Sequence, residues 1–229
     1  MTNINNKHFH KKAFTMIELV MVIVVLGILA ALAIPRYERD LRQEAADNIL
    51  SALRYTQHMA LTDNVTNPRD NKWQRAFWHF GIEKCSDNGI FYYIASDKDY
   101  EGNIDSNESI NDPANGLLLM GNTPSASPCK DVVQNGSSPN IFLSKQYGIM
   151  DGDVTFTNCG TSTGKYIGFD YLGRSHRGFK GSSGSSYPDF SSILTADCTI
   201  TLSFTSEDNI SIIIEKGTGH AYIQNQKDS

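Results

Sequence analysis

The hydrophobic pattern changes character twice along the chain. From Leu19 to Ile34 no side chain is charged or strongly polar, and Glu18 is the only ionised group between Lys12 and Arg36. A bilayer crossing takes about 20 residues. Phe14 to Ile34 reaches that length only by taking Glu18 into the membrane. A carboxylate at membrane depth costs roughly 2.5–3.5 kcal/mol, so it is rare and marks a function. From Arg36 to about Asp63 the pattern becomes amphipathic. Tyr37, Leu41, Ala45, Ile49, Leu53 and Ala60 recur at intervals of about three to four residues, with Glu, Arg, Asp and Asn between them. This predicts a helix that continues the apolar run and lays its stripe on a sheet. Asp63-Asn64 and Asn67-Pro68 end it.

From Lys72 onward the signal is of short β-type runs separated by turn residues. The predicted strands are Arg75–Ile82, Ile90–Ala95, Leu117–Met120, Val154–Thr157, Tyr166–Asp170, Thr199–Phe204, Ile210–Glu215 and Ala221–Gln224. Stretches rich in Gly, Ser, Asn and Pro at 121–140 and 178–192 read as long loops. FDYLGR at 169–174 reads as an edge strand, and 198–223 as a closing meander.

Charge and cysteine usage then assign compartments. Lys7, Lys11 and Lys12 precede the apolar run, which predicts a cytoplasmic N-terminus and an exported C-terminal domain. The whole chain has a net charge of −5; without those three lysines the remainder stands at −8. Such an acidic body argues against broad nucleic-acid binding. Cys85, Cys129, Cys159 and Cys198 are widely spaced and form no C-x-x-C pair, against a zinc cage or a redox dithiol. In an oxidising compartment they make two disulfides. Three connectivities exist; Cys85–Cys129 with Cys159–Cys198 is favoured because each bridge links neighbouring segments.

The stretch from Lys11 to Tyr37 resembles the type IV prepilin signature. The competing readings are a secretory signal peptide, whose small-residue cleavage site would follow the apolar run, and a plain membrane anchor, which leaves Glu18 without a purpose. In the prepilin family a dedicated inner-membrane peptidase cuts before a phenylalanine and methylates the new amino group. The resemblance places cleavage between Ala13 and Phe14, with N-methylation on Phe14. It makes Glu18 the family's fifth-position glutamate and Pro35 its proline, the 22nd residue counted from Phe14. Ala13 departs from the usual glycine. In a helical filament core the Phe14 ammonium and the Glu18 carboxylate would both be poorly solvated. Pairing them across subunits removes two penalties, each worth several kcal/mol if left unpaired. Glu18 would thereby set the register of an incoming subunit.

The fold implied is α+β and type IV pilin-like, a long N-terminal helix packed on an antiparallel β-sheet domain. Its parts would be a leader at 1–13, a transmembrane half-helix at 14–35, an amphipathic half at 36–63 and an exported β domain at 64–229. The layout of the β part resembles the H-type minor pseudopilin of type II secretion. The function implied is that of a non-enzymatic subunit that joins or starts a filament. Its partners would be major and minor pilins or pseudopilins, an inner-membrane assembly platform and the prepilin peptidase. Two alternatives remain open: a minor pilin of an adhesion, twitching or DNA-uptake pilus, and a membrane-tethered periplasmic binding module that never polymerises.

A second pattern lies in SDKDYEGNIDSNES. Counted from Asp97, acids fall at positions 1, 3, 5, 9 and 12 (Asp97, Asp99, Glu101, Asp105, Glu108), and Gly102 falls at 6. Asn103 would add a backbone carbonyl at position 7. This is the ligand spacing of an EF-hand calcium loop: hard oxygens around a tight turn, closed by a bidentate carboxylate. The preceding strand-like run rules out a helix–loop–helix setting. An acidic, solvated turn between strands accounts for the same residues.

Weaker signals remain. Gly173-Arg174-Ser175-His176-Arg177 with Lys180 is a small basic patch. Some minor pilins bind DNA through arginine-bearing loops, but a solvated hairpin turn explains the patch more simply. His58, Trp73 and Trp78 read as packing residues. The chain holds no H-E-x-x-H, G-x-S-x-G, phosphate-loop or dinucleotide fingerprint.

Overall fold

The structure, a computed structural model, describes residues 15–102, 104–121, 129, 136–159, 164–177, 192–205 and 208–226, with the side chains of 33–40 left aside. Helix α1 runs over Met16–Thr62, and the chain divides into two compact units, Met1–Asp40 and Leu41–Ser229.

In the first unit the helix starts on a reciprocal cap. The Glu18 carboxylate accepts from the Thr15 backbone N–H and from the Thr15 hydroxyl, both at 2.8 Å, and Thr15 Oγ1 accepts from Glu18 N–H at 3.3 Å. Two orphan donors of the first turn are thereby satisfied. From Met16 to Leu32 every side chain is exposed.

The second unit is built around one core. Strands β1 (Trp78–Lys84), β2 (Ile90–Ala95), β4 (Tyr166–Phe169) and β5 (Ser175–His176) make an antiparallel sheet in the order β2-β1-β4-β5. Strands β3 (Val154–Thr157), β6 (Cys198–Leu202), β7 (Ile210–Ile214) and β8 (Ala221–Ile223) make a second antiparallel sheet in the order β3-β6-β7-β8. A short helix, α2 (Leu143–Tyr147), ends on Gly148 in the left-handed conformation. Both sheets and the stripe Ala45, Ala46, Ile49, Leu50, Ala52, Leu53 and Ala60 of α1 share one hydrophobic cluster.

Polar contacts fix the helix over that cluster. Arg54 donates to the Ala221 carbonyl at 3.1 and 3.2 Å, and Gln57 donates to the carbonyls of Gly173 and Thr218 at 2.8 and 2.9 Å. Asp63, just past the helix end, accepts from the Trp78 indole at 3.0 Å. The contact under Gln57 demands glycine. A Cβ on Gly219 would stand 2.2 Å from the Gly173 carbonyl oxygen, and its φ of +69° is left-handed.

Against the sequence expectations, helix α1 ends at Thr62 and the strand at Ile90–Ala95 has its expected bounds. The run Arg75–Ile82 is split instead: Trp73–Ala76 forms a 3₁₀ turn and the strand starts at Trp78. Leu117–Met120 makes only isolated bridges, Leu118 pairing with Asn111 and Ser137. FDYLGR is the end of β4 and a turn rather than an edge strand. The loop regions 121–140 and 178–192 fall mostly outside the described residues.

Candidate functional site

The first candidate site is the surface of the N-terminal segment. Thirteen large apolar side chains from Met16 to Leu32 are each more than half exposed, from Val22 at 51% to Met16 at 86%. Covering a side chain of this kind is worth roughly 1.5–3 kcal/mol, so the set carries on the order of 20–40 kcal/mol. A surface of that size is not left facing water. Among the described residues no helix is long and apolar enough to cross a membrane. The side chains described in this part of α1 stop at Leu32, short of the ~20 residues of a crossing. Glu18 sits among the exposed apolar groups, its carboxylate turned back on Thr15. Thr15 was not singled out by sequence reasoning, although T-x-x-E directly before an apolar run signals this cap. Ala13 and Phe14 lie outside the described residues.

The second site is the acidic loop. The end of β2 and the segment after the loop are clamped together: Ser96 N–H donates to the Glu108 carbonyl at 3.1 Å and Ile110 N–H to the Ile94 carbonyl at 3.1 Å. This brings Glu108 beside Asp97. The Glu108 carboxylate, 4% exposed, accepts from the N–H groups of Lys98 at 2.7 Å and Asp105 at 2.9 Å. Asp97 accepts from Gly102 N–H at 2.8 Å across a turn in which Gly102 takes φ +89°. Oxygens of Asp97, Asp99 and Glu108 lie within 4.8 Å of one another. Glu101 and Asp105 are exposed and lie outside that group; Asp105 instead caps a 3₁₀ turn over Ser106–Glu108. Asn103 lies outside the described residues.

The four cysteines form two bridges. Cys85 joins Cys129 and Cys159 joins Cys198, with Cα–Cα distances of 5.5 and 4.6 Å. The second bridge ties the chain after β3 to the first residue of β6.

The basic patch is not a solvated turn. Asp170 accepts from the backbone of Leu172 and Arg174 at 3.0 and 2.9 Å, and from the Arg174 guanidinium at 2.7 Å. His176 Nε2 stands 3.1 Å from Asp170 Oδ2, and Nδ1 stands 2.7 Å from Ser192 Oγ. Burial raises the Asp170 carboxyl, but hydrogen bonds from His176 and Arg174 outweigh it and hold it at about 2. The residue types match a Ser–His–Asp nucleophile, yet the two ring nitrogens serve the opposite partners. All three residues are buried. What they do is tie β5 to the turn after β4 and to Ser192. Their burial was invisible in the sequence because Ser175 and His176 read as surface residues. Lys180 lies outside the described residues, and Arg177 is exposed. Trp73 and Trp78 are buried as expected of packing residues; His58 is exposed on α1.

A cavity of about 480 Å³ opens beside α1, among Asn48, Tyr55, Tyr92, Asp112 and Tyr147. Its polar groups bond one another. Asn48 donates to Tyr147 Oη at 3.0 Å and accepts from Tyr92 Oη at 3.1 Å, while Asp112 accepts from Ser138 at 2.6 Å and Asn140 at 3.0 Å.

Residues 9–34 match the family model of the prokaryotic N-terminal methylation motif. That motif is typical of type IV prepilin-like proteins, a structural rather than catalytic class. It implies processing by a prepilin peptidase and assembly with other pilins, and it suggests anchoring in the inner membrane through the N-terminal helix. No curated protein and no solved structure matches the chain.

Proposed function

From a chain with a type IV prepilin-like N-terminus ahead of an antiparallel β domain, we propose a minor subunit of a type II secretion pseudopilus. The observation that carries the filament reading is the bare apolar surface from Met16 to Leu32 with Glu18 inside it. Lipid covers such a surface before assembly, and neighbouring helices cover it afterwards. A solitary tether needs the apolar residues but not the acid. Glu18, released from Thr15, takes the ammonium of a neighbouring Phe14, and the cost of leaving either charge unpaired in a dry bundle fixes the register. The chain would lie in the inner membrane with Lys7, Lys11 and Lys12 on the cytoplasmic side. The domain with both disulfides would lie in the periplasm, where oxidation is favoured. The protein acts by assembly, not by catalysis. The choice of a secretion pseudopilus over a surface pilus rests on the resemblance of the sequence layout after Lys72 to the H-type minor pseudopilin.

Deletion in the native bacterium tests this choice. Loss of exoprotein export with surface pili intact is the expected result. Loss of pili, twitching or DNA uptake with export intact would overturn the pseudopilus reading in favour of a pilus.

A further inference from the structure

The acidic loop presents one feature that a solvated turn does not account for. Asp97 is 1% exposed, and its Oδ1 is buried without a hydrogen-bond partner. A buried acceptor left unsatisfied costs about 1–3 kcal/mol, and more when it is charged. The other oxygen, Oδ2, is already held by Gly102 N–H. Glu108 is also buried and is fixed by three backbone N–H groups, those of Lys98, Asp99 and Asp105. Asp99 lies on the exposed side of the same group, its Oδ1 accepting from Glu101 N–H at 3.0 Å. The Lys98 ammonium does not close the cluster from its own strand end, for it stands over the Trp78 ring, 5.5 Å from the centroid. The loop therefore gathers three carboxylates around an orphaned oxygen, on a turn whose glycine already has the left-handed conformation that such a loop needs.

We propose that this loop is a calcium site, with Asp97, Asp99 and Glu108 as its carboxylate ligands. The donor set is all oxygen and all carboxylate, which selects a hard cation and excludes the nitrogen and sulfur chemistry of zinc. The three oxygens lie within 4.8 Å of one another, close enough for one ion to reach all of them at the 2.3–2.6 Å of calcium–oxygen contacts. Calcium accepts the irregular, water-completed shell that a short loop provides, whereas magnesium demands a near-ideal octahedron. Asp97 Oδ1 is a buried acceptor without a partner, and a divalent ion at this position would supply one. Sites of this class outside the cytoplasm bind with Kd on the order of 10⁻⁴–10⁻³ M. The proposal stands apart from the filament reading and does not depend on it.

The test is thermal unfolding of the full chain in detergent, with chelator, with millimolar calcium and with millimolar magnesium. Calcium at roughly ten times Kd is expected to raise Tm by about 3–6 °C, with little effect of magnesium. Asp99→Asn, an exposed change, should leave the chelated Tm in place and remove most of the calcium shift. Asp97→Asn should raise the chelated Tm, because it removes the buried orphan charge, and should abolish the response. An unmoved wild-type Tm, an equal shift with magnesium, or a full calcium shift in Asp99→Asn would each overturn the site.

Discussion

Between Met16 and Leu32, α1 leaves every side chain exposed; between Leu41 and Thr62 the same helix buries Ala45, Ala46, Ile49, Leu50, Ala52, Leu53, Thr56 and Ala60. The sequences explain the difference. The second stretch has an apolar stripe with polar residues between, so one face goes to the sheets and the other to water. The first is apolar all round, which suits a helix surrounded by lipid or by other helices. The acids of the two stretches also differ in kind. Asp47 is exposed and bonded to Gln43 at 3.1 Å, one turn away, an ordinary solvated pair. Glu18 is bonded to Thr15, amid apolar neighbours. One helix thus carries a folding surface and an assembly surface, separable along its length.

That separation can be broken or sharpened by experiment. The largest effect should come from the disulfides, which act on the second unit alone. Closing loops with sequence separations of 44 and 39 gives about 4 kcal/mol each in the chain-entropy account. Cys159→Ser with Cys198→Ser should lower the unfolding free energy of the domain by that order, read by denaturant titration, with membrane insertion unchanged. Next comes a paired substitution. Leu53→Ala removes a fully buried side chain and should cost about 2–5 kcal/mol. Leu29→Ala, in a residue 57% exposed, should move the same transition by less than about 0.5 kcal/mol. Equal costs at the two positions would mean that the two surfaces are not distinct.

A smaller effect is expected from pH. Asp170 is held at about 2 in the folded chain, below the ~3.9 of an unfolded aspartate. Its contribution is therefore fully present above pH ~4 and is lost as pH falls through about 2. The difference amounts to about 2 kcal/mol. Denaturant midpoints taken from pH 6 to pH 2 should show this loss in the wild type and a flatter profile in Asp170→Asn.

Much of this architecture was legible because periodicity survives folding. The stripe of α1 and the strands Ile90–Ala95 and Val154–Thr157 each carry their burial in their own residues. What was not legible depends on partners distant in the chain. β5 is two polar residues, Ser175 and His176, and nothing local marks them as buried; Asp170 and Ser192 make them so. α2 reads LSKQY, too short for a helical pattern, and is fixed by Ser144 bonding Ile90 and Ile149. Of the acidic loop, spacing indicated six ligand positions; among the described residues the structure gathers Asp97, Asp99 and Glu108, and Asn103 lies outside them. Glu108 is drawn inward by three backbone donors and Asp105 is spent on a cap. Spacing records where oxygens sit along the chain, not which of them the backbone has already claimed.

The most direct test of the assembly surface is incorporation of Glu18→Ala into sheared filaments, measured beside the wild type at equal membrane abundance. The substitution makes the apolar stretch more apolar, so insertion into the inner membrane should be normal. Filament entry should fail, because the Phe14 ammonium of a neighbouring subunit loses its partner. Incorporation of Glu18→Ala at the wild-type level would contradict the account, and the apolar stretch would then be an anchor and nothing more.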